Sequence, residues 1–345
     1  MPSSIKSALI LGITGQDGSY LAEQLLAEGW AVHGLVRRAS MFNRSRIEHL
    51  RTAPSAGKLT LHYGDLTDVT SLRRILEKEK PQEIYHLAGQ SHVGLSFEIP
   101  EVTCQENGTA TLNLLEILRD LRDPVKLYHA ASSEIFGAPG TTPQTEATAC
   151  NPVNPYGCAK AFAAQLCRVY RNAYGLFACN GIAYNHESPR RGENFVTRKI
   201  SLGAARIKAG RQAEIALGNL DSRRDWGWAP EYVAAMRLML AAPAADDYIL
   251  ATGRACSVRE FASAAFAGLG LELVFEGQGA AELARRRDTG AVVLRVDPKF
   301  YRPVESTTLV GDASRAKARL GWIPRTIGGD VASQMARADF AALTN

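Results

Sequence analysis

An α/β protein built on a doubly wound parallel sheet, with a smaller and mostly C-terminal lobe, is predicted by three features of the sequence. Short apolar runs alternate with helix-length amphipathic stretches through the first half of the chain. A glycine-punctuated turn joins the first run to the first such stretch, and the alternation loosens after residue 185. Strands that alternate with helices close into a parallel sheet covered on both faces.

Each element has its own signal. Residues 7–14 are mostly apolar, as a central strand buried on both faces requires, and they run straight into Gly15 and Gly18. Leu21, Ala22, Leu25 and Leu26 then recur at helical spacing, and Gly29 supplies the stop. Residues 30–36 read as the next strand and complete a β-α-β unit. Further strands are expected at 59–63, 83–88, 126–131 and 176–183, and helices at 69–80, 109–121 and 156–174. Beyond 185, basic loops are expected around Arg190 and Arg191, Arg198 and Lys199, and Arg223 and Arg224, with helices at 230–240 and 258–268. The first lobe is therefore assigned to residues 1–185, with contributions from about 215–250, and the second mainly to 186–345.

Composition narrows the function. The chain has 345 residues, 46% hydrophobic and 22% charged, and 40 Lys+Arg against 35 Asp+Glu leave a net charge of +5. This balance excludes intrinsic disorder, a collagen-like fibre and a small disulfide scaffold. No apolar stretch approaches the roughly 20 residues of a membrane-spanning helix, and no signal-peptide cleavage pattern follows the first residues. A cytoplasmic protein without a membrane partner is expected. The charge excess is too small and dispersed for nucleic acid. Cys104, Cys150, Cys158, Cys167, Cys179 and Cys256 form no C-x-x-C pair and no zinc-like spacing with His, so neither disulfides nor a structural metal is expected.

Gly12, Gly15 and Gly18 stand where a strand turns into a helix, and their missing side chains let backbone N–H groups approach a pyrophosphate. Three glycines alone also fit an ordinary tight turn; the β-α-β setting makes this the turn of a Rossmann-type dinucleotide fold. Thr14, Gln16 and Asp17 then join the glycines as candidate cofactor contacts. The second strand ends in Arg37 and Arg38, not in the acidic residue that meets a ribose 2′-hydroxyl, and two guanidinium groups fit a 2′-phosphate. NADP is the expected cofactor. Asp65 and Leu66 would meet its adenine side, and Leu87, Ala88, Gln90 and Ser91 lie where it would cross the sheet.

Tyr156 and Lys160 share one helix face, and an adjacent ammonium is expected to lower the phenol's pKa until the phenolate is usable as a base. Upstream, Ser132, Ser133 and Glu134 follow the fifth strand and offer a hydroxyl to hold substrate with a carboxylate beside it. With the glycine turn these residues match the extended short-chain dehydrogenase/reductase arrangement.

The sequence further resembles the GDP-mannose 4,6-dehydratases within that group, over nearly its whole length. The resemblance is carried by Gly12-Ile-Thr-Gly-Gln-Asp-Gly-Ser-Tyr-Leu21, Arg46-Ile-Glu-His-Leu50, His62-Tyr-Gly-Asp-Leu-Thr-Asp68, Asn185-His-Glu-Ser-Pro-Arg-Arg-Gly192, Asn194-Phe-Val-Thr-Arg-Lys199 and Arg224-Asp-Trp-Gly227. It implies an internal redox cycle. Tyr156 takes the C4 hydroxyl proton while hydride passes to NADP, Glu134 removes the C5 proton, water leaves C6, and the hydride returns to C6. It also implies that His186 and Arg191 touch the cofactor, and that Asn185, Arg198, Lys199, Arg224, Arg302 and Glu305 line the GDP-sugar pocket with Ser91, Ser133 and Glu134. A homodimer through helices like 109–121 and 156–174 is implied, or a homotetramer with the loop at 40–46 reaching a neighbour's cofactor.

Four departures are visible. Ser132 replaces a usual Thr; Val153 and Asn154 fall where relatives show Arg-Ser; Trp228 replaces His; and Val102 replaces Tyr. They leave open a modified GDP-hexose or GDP-heptose as substrate. An epimerase or reductase would not need Glu134, and a non-catalytic NADP-binding scaffold would not need Tyr156, Lys160 and Glu134 together. His49, His62 and His129 are read as structural.

Overall fold

The apolar runs become strands and the amphipathic stretches become helices in the computed structural model, which describes residues 5–38, 43–53, 56–300 and 308–344. In chain order the first half holds β1 (Ser7–Leu11), α1 (Gln16–Ala27), β2 (Ala31–Val36), α2 (Glu48–Thr52), β3 (Leu59–Tyr63), α3 (Val69–Glu79), β4 (Glu83–His86), α4 (Pro100–Cys104), α5 (Ala110–Asp120), β5 (Lys126–Ser132), α6 (Pro155–Tyr174) and β6 (Ala178–Ala183). The second half holds β7 (Asn185–Glu187), α7 (Val196–Lys208), β8 (Ile215–Leu217), β9 (Arg223–Trp228), α8 (Ala229–Ala241), β10 (Asp247–Leu250) and β11 (Ala255–Ser257). It continues with α9 (Val258–Ala267), β12 (Leu273–Glu276), β13 (Leu283–Arg286), β14 (Val292–Val296), α10 (Ser314–Leu320) and α11 (Gly328–Thr344).

The large sheet runs β10-β6-β5-β4-β1-β2-β3, and every neighbouring pair is parallel. The chain moves outward from β1 to β3 and returns to β4 on the other side of β1. That reversal opens a crevice at the carboxyl ends of β1 and β4, the place where open α/β sheets bind ligands. Leu21 and Leu25 of α1 pack with Tyr232, Met236 and Met239 of α8 on one face. Leu72 and Leu76 of α3, Leu114 and Leu118 of α5, and Cys167 and Tyr170 of α6 cover the other.

The second lobe has its own core. Ile200 and Ile207 of α7, Phe261 and Phe266 of α9, and Val331 and Met335 of α11 enclose Trp226, beside the small sheets β12-β13-β14-β8 and β11-β9-β7. Between residues 215 and 250, α8 and β10 belong with the large sheet, whereas β8 and β9 pair within the small ones.

Two expected loops are regular elements instead. Arg198 and Lys199 lie in the first turn of α7, because Ile200, Ala204 and Ile207 recur at helical spacing against the second core; Arg223 and Arg224 open β9. The helix expected at 109–121 extends backward, with one π turn at Gln105–Thr109 joining α4 to α5. All six cysteines are free. No helix among the described residues is long and apolar enough to cross a membrane.

Candidate active site

A cavity of about 830 Å³ opens at the reversal point. Its floor is the glycine turn. Gly12 has φ +94°, and a Cβ there would stand 2.9 Å from the Ala88 nitrogen; a Cβ on Gly18 would stand 2.3 Å from the Gly12 oxygen. Glycine alone satisfies both the dihedral and the close approach. No side chain caps α1 at Gly15, which leaves its first-turn N–H groups for an anion. Glycine cradle and uncapped helix start together fit the pyrophosphate of a dinucleotide. Thr14, Gln16, Asp17, Leu66, Leu87 and Ala88 also line the cavity.

Asp17 and His186 hold each other. His186 Nε2 lies 2.8 Å from Asp17 Oδ2, and its Nδ1 lies 2.8 Å from the Tyr184 carbonyl, so both ring nitrogens face acceptors, an arrangement that favours the imidazolium. Burial opposes charge on both partners, yet their mutual attraction and hydrogen bond prevail: Asp17 is held below the ordinary aspartate value and His186 above the ordinary histidine value. The His186 ring stacks on Tyr232 at 4.6 Å. Gln16 donates to the His186 carbonyl at 3.0 Å and accepts from Ser188 Oγ at 2.8 Å, tying the start of α1 to the strand β7.

At the adenine end, Arg37 lies on the cavity wall and meets Glu106 of the π turn at 3.2 Å, whereas Arg38 is exposed and off the wall. Asp65 also lines the cavity; its carboxylate accepts from Thr67 N at 2.9 Å and Thr67 Oγ1 at 2.7 Å, and these bonds outweigh burial and lower its pKa. Gln90 is not on the wall, because its amide donates to the His92 carbonyl at 3.0 Å and to Thr103 Oγ1 at 3.3 Å.

At the opposite end, Ser132, Glu134, Tyr156 and Lys160 share the cavity. Ser132 closes β5, and its hydroxyl accepts from Glu134 N at 3.2 Å and lies close enough to the Tyr156 phenol to favour the phenolate. Glu134 sits in a short 3-10 turn, Ser133–Ile135. Tyr156 follows Pro155 at the start of α6, and Lys160 stands one turn later with its Nζ donating to the Ala130 carbonyl at 2.9 Å. The expected lowering of the phenol pKa is overturned: Tyr156 is pushed up to about 12, chiefly by burial, despite the Ser132 hydroxyl. The ammonium is 5.9 Å from the Tyr156 ring centroid and burial pushes Lys160 itself down to about 8. The cost of desolvating the phenolate outweighs an ammonium that is distant and turned to a carbonyl.

Asn154, missed as a site residue, is the hinge of this group. Its Oδ1 accepts from Gly157 N at 2.7 Å, capping α6, and its Nδ2 donates to Glu134 Oε2 at 2.9 Å. One side chain thus sets both the helix bearing Tyr156 and the carboxylate of Glu134. The Asn-Pro pair at a helix start was the available signal.

The expected substrate residues divide. Ser91, Asn185 and Arg224 line the cavity, as does Arg191, expected at the cofactor, with its guanidinium 3.7 Å from the Phe195 ring centroid. Ser133 does not; it is buried in its turn, where its carbonyl accepts from Phe136 N at 3.0 Å. Arg198 is turned away to the buried Asp339 of α11, and Lys199 lies over the Phe300 ring at 4.5 Å; neither reaches the wall. Arg198 faces α11, which packs on α7, and Lys199 faces Phe300, so neither cation is aimed at the cavity. Arg302, Glu305 and the loop residues 39–42 lie outside the described residues. Of the departures, Val153 and Asn154 line the cavity, while Trp228 and Val102 do not.

A glycine cradle at the switch point of a parallel sheet, facing a serine, a tyrosine and a lysine across one cavity, defines an extended short-chain dehydrogenase/reductase. Comparison with known proteins narrows this: the family described as GDP-mannose 4,6 dehydratase matches residues 9–335, and the chain belongs to it. The GDP-mannose 4,6 dehydratase of Homo sapiens is 50% identical, with 96% of this chain and 91% of that relative covered. The enzyme of that name from Drosophila melanogaster is 48% identical, covering 97% and 86%. Solved structures share the fold at lower identity. The dTDP-glucose 4,6-dehydratase DesIV from Streptomyces venezuelae, with NAD and TYD bound, aligns with a TM-score of 0.77 at 23% identity, covering 96% of both chains. RMD from Pseudomonas aeruginosa, complexed with NADPH, aligns at 0.76 and 23%, covering 98% and 99%.

Proposed function

We propose that this chain dehydrates GDP-mannose to GDP-4-keto-6-deoxymannose without net redox change, using NADP held in the cavity. The single observation that carries the reading is the Glu134 carboxylate, held by Asn154 in the same cavity as Tyr156 and Lys160. Hydride transfer at C4 alone has no use for that carboxylate. Elimination does.

The bound nicotinamide supplies a hydride acceptor that gives the same electron pair back. Ser132 and Tyr156 hold the C4 hydroxyl, and Tyr156 takes its proton as the 4-keto group forms. With its pKa pushed up to about 12, Tyr156 keeps its own proton near neutral pH, so it serves as the base only after that proton has passed to solvent, a loss that the positive charge of an oxidised nicotinamide beside it would favour. Lys160, fixed by its bond to the Ala130 carbonyl of β5, would hold the cofactor's ribose. The 4-keto group acidifies C5; Glu134 removes that proton and delivers one to the departing C6 hydroxyl. Arg224 and Asn185 meet the nucleotide-sugar. Arg37, with Arg38 at the same strand end, supports NADP over NAD, in keeping with the NADPH-bound neighbour.

Glu134→Gln tests the assignment. It keeps the shape and the Asn154 contact but removes the base, so cofactor binding is expected to be unchanged while turnover of GDP-mannose falls by roughly 10²–10⁴-fold. Unchanged turnover would remove Glu134 from the chemistry.

The same reading includes a homodimer. Phe162, Val169 and Tyr174 of α6 and Val102 of α4 are large apolar side chains left exposed on neighbouring helices. Light scattering should give twice the chain mass, and Phe162→Glu should halve it; a monomeric parent protein would contradict the reading.

A further inference from the structure

Away from the cavity, three potential metal ligands converge. His33 of β2 and His62 of β3 point to the sheet face that α3 covers, and Glu79 closes α3 above them. His62 is paired in register with Leu35, two residues beyond His33, so the two imidazoles are diagonal neighbours across the strand pair. His33 Nδ1 lies 3.1 Å from His62 Nε2. Glu79 places one carboxylate oxygen 3.6 Å from the first nitrogen and the other 4.0 Å from the second. The ring centroids are 5.4 Å apart with planes at 25°, so the nitrogens meet edge to edge and not face to face.

We propose that His33, His62 and Glu79 form a binding site for one divalent transition-metal ion, with zinc the ion its ligand chemistry favours. Zinc bonds of 2.0–2.1 Å in a tetrahedron separate the ligand atoms by about 3.3 Å, and the spacings here bracket that value. Two imidazoles with one carboxylate suit zinc, nickel or copper; calcium and magnesium require oxygen ligands. The three side chains are nearly buried, with 10%, 13% and 17% exposure, and they rise from two paired strands and a packed helix. The site is therefore largely preorganised. One of the two facing nitrogens carries the proton of their hydrogen bond; moving it to that ring's other nitrogen, with a small rotation of both rings, turns two lone pairs onto a shared ion. Lys78 Nζ, 3.0 Å from a Glu79 oxygen, is on the solvent side at 74% exposure and can withdraw into water. Loaded, the site ties β2 and β3 to α3 behind the strand end that carries Arg37.

Tag-free protein, stripped with a chelator and reloaded with its dinucleotide, is titrated with Zn²⁺ and separately with Co²⁺, in parallel with Glu79→Gln and His62→Asn. The expected result is one equivalent of metal per chain, a rise in Tm, a visible Co²⁺ d–d spectrum without a thiolate charge-transfer band, and at least tenfold weaker binding in both variants. Glu79 closes α3 at its solvent end, so Glu79→Gln keeps the test decisive if His62→Asn misfolds. No saturable binding, equal affinity in Glu79→Gln, or a thiolate band marking exposed Cys104 or Cys158 as the ligand would each overturn the proposal.

Discussion

At the scale of the residue, Asn154 joins two functions that are separable by substitution. Its carbonyl oxygen caps α6 and its amide holds Glu134. Asn154→Ala loses both, so a stability loss of about 1 kcal/mol from the missing cap accompanies a fall in kcat. Asn154→Asp restores the cap, since an aspartate oxygen accepts from Gly157 N equally well, yet it replaces the donor to Glu134 with a second anion. Its Tm should return to the parent value while kcat stays about tenfold or more below it, because a charged group has lost its hydrogen-bond partner. Should kcat instead track Tm through both variants, Asn154 acts only as a cap. Val153 beside it belongs to the same wall, and nothing in the structure explains Trp228 in place of the usual histidine.

At the scale of the element, the Asp17–His186 pair fastens the first turn of α1 to β7, and its linkage to pH has a definite sign. His186 is raised, so its contribution to stability is complete below the ordinary value of 6.5 and is lost as pH climbs through the higher folded value. Asp17 is lowered, so its contribution is present above 3.8 and is lost as pH falls through the lower folded value. Asp17→Asn should therefore lower Tm most near pH 6, and the gap from the parent protein should narrow steadily toward alkaline pH. A gap independent of pH would mean that the pair is not ionised. The elements themselves were largely legible. Apolar runs marked β1, β2 and β3, and the Leu21–Leu26 spacing marked α1, because these segments are buried on faces that local periodicity records. The π turn at Gln105–Thr109 left no local trace, since it answers to packing between α4, α5 and α6 and not to its own residues.

At the scale of the whole molecule, the grouping of Ser132, Glu134, Tyr156 and Lys160 in one cavity could be read and its electrostatics could not. Tyr156, Lys160 and Glu134 follow from short-range spacing, but the phenol's rise to about 12 depends on how completely the cavity walls exclude water, which no spacing conveys. Arg198 shows the same limit: its partner Asp339 is 141 residues away, and only the packing of α7 on α11 reveals that the guanidinium is committed there and not to the cavity. Likewise Glu106 comes to Arg37 across the crevice, placing a carboxylate beside the strand end where a 2′-phosphate would bind. On the proposed reading the cavity returns a hydride to the molecule that surrendered it, with Glu134 opening the path between C5 and C6. Conversion of GDP-mannose deuterated at C4 measures this directly. The account predicts one deuterium at C6 of each product molecule, with solvent hydrogen entering at C5; product whose C6 carries no deuterium would contradict it.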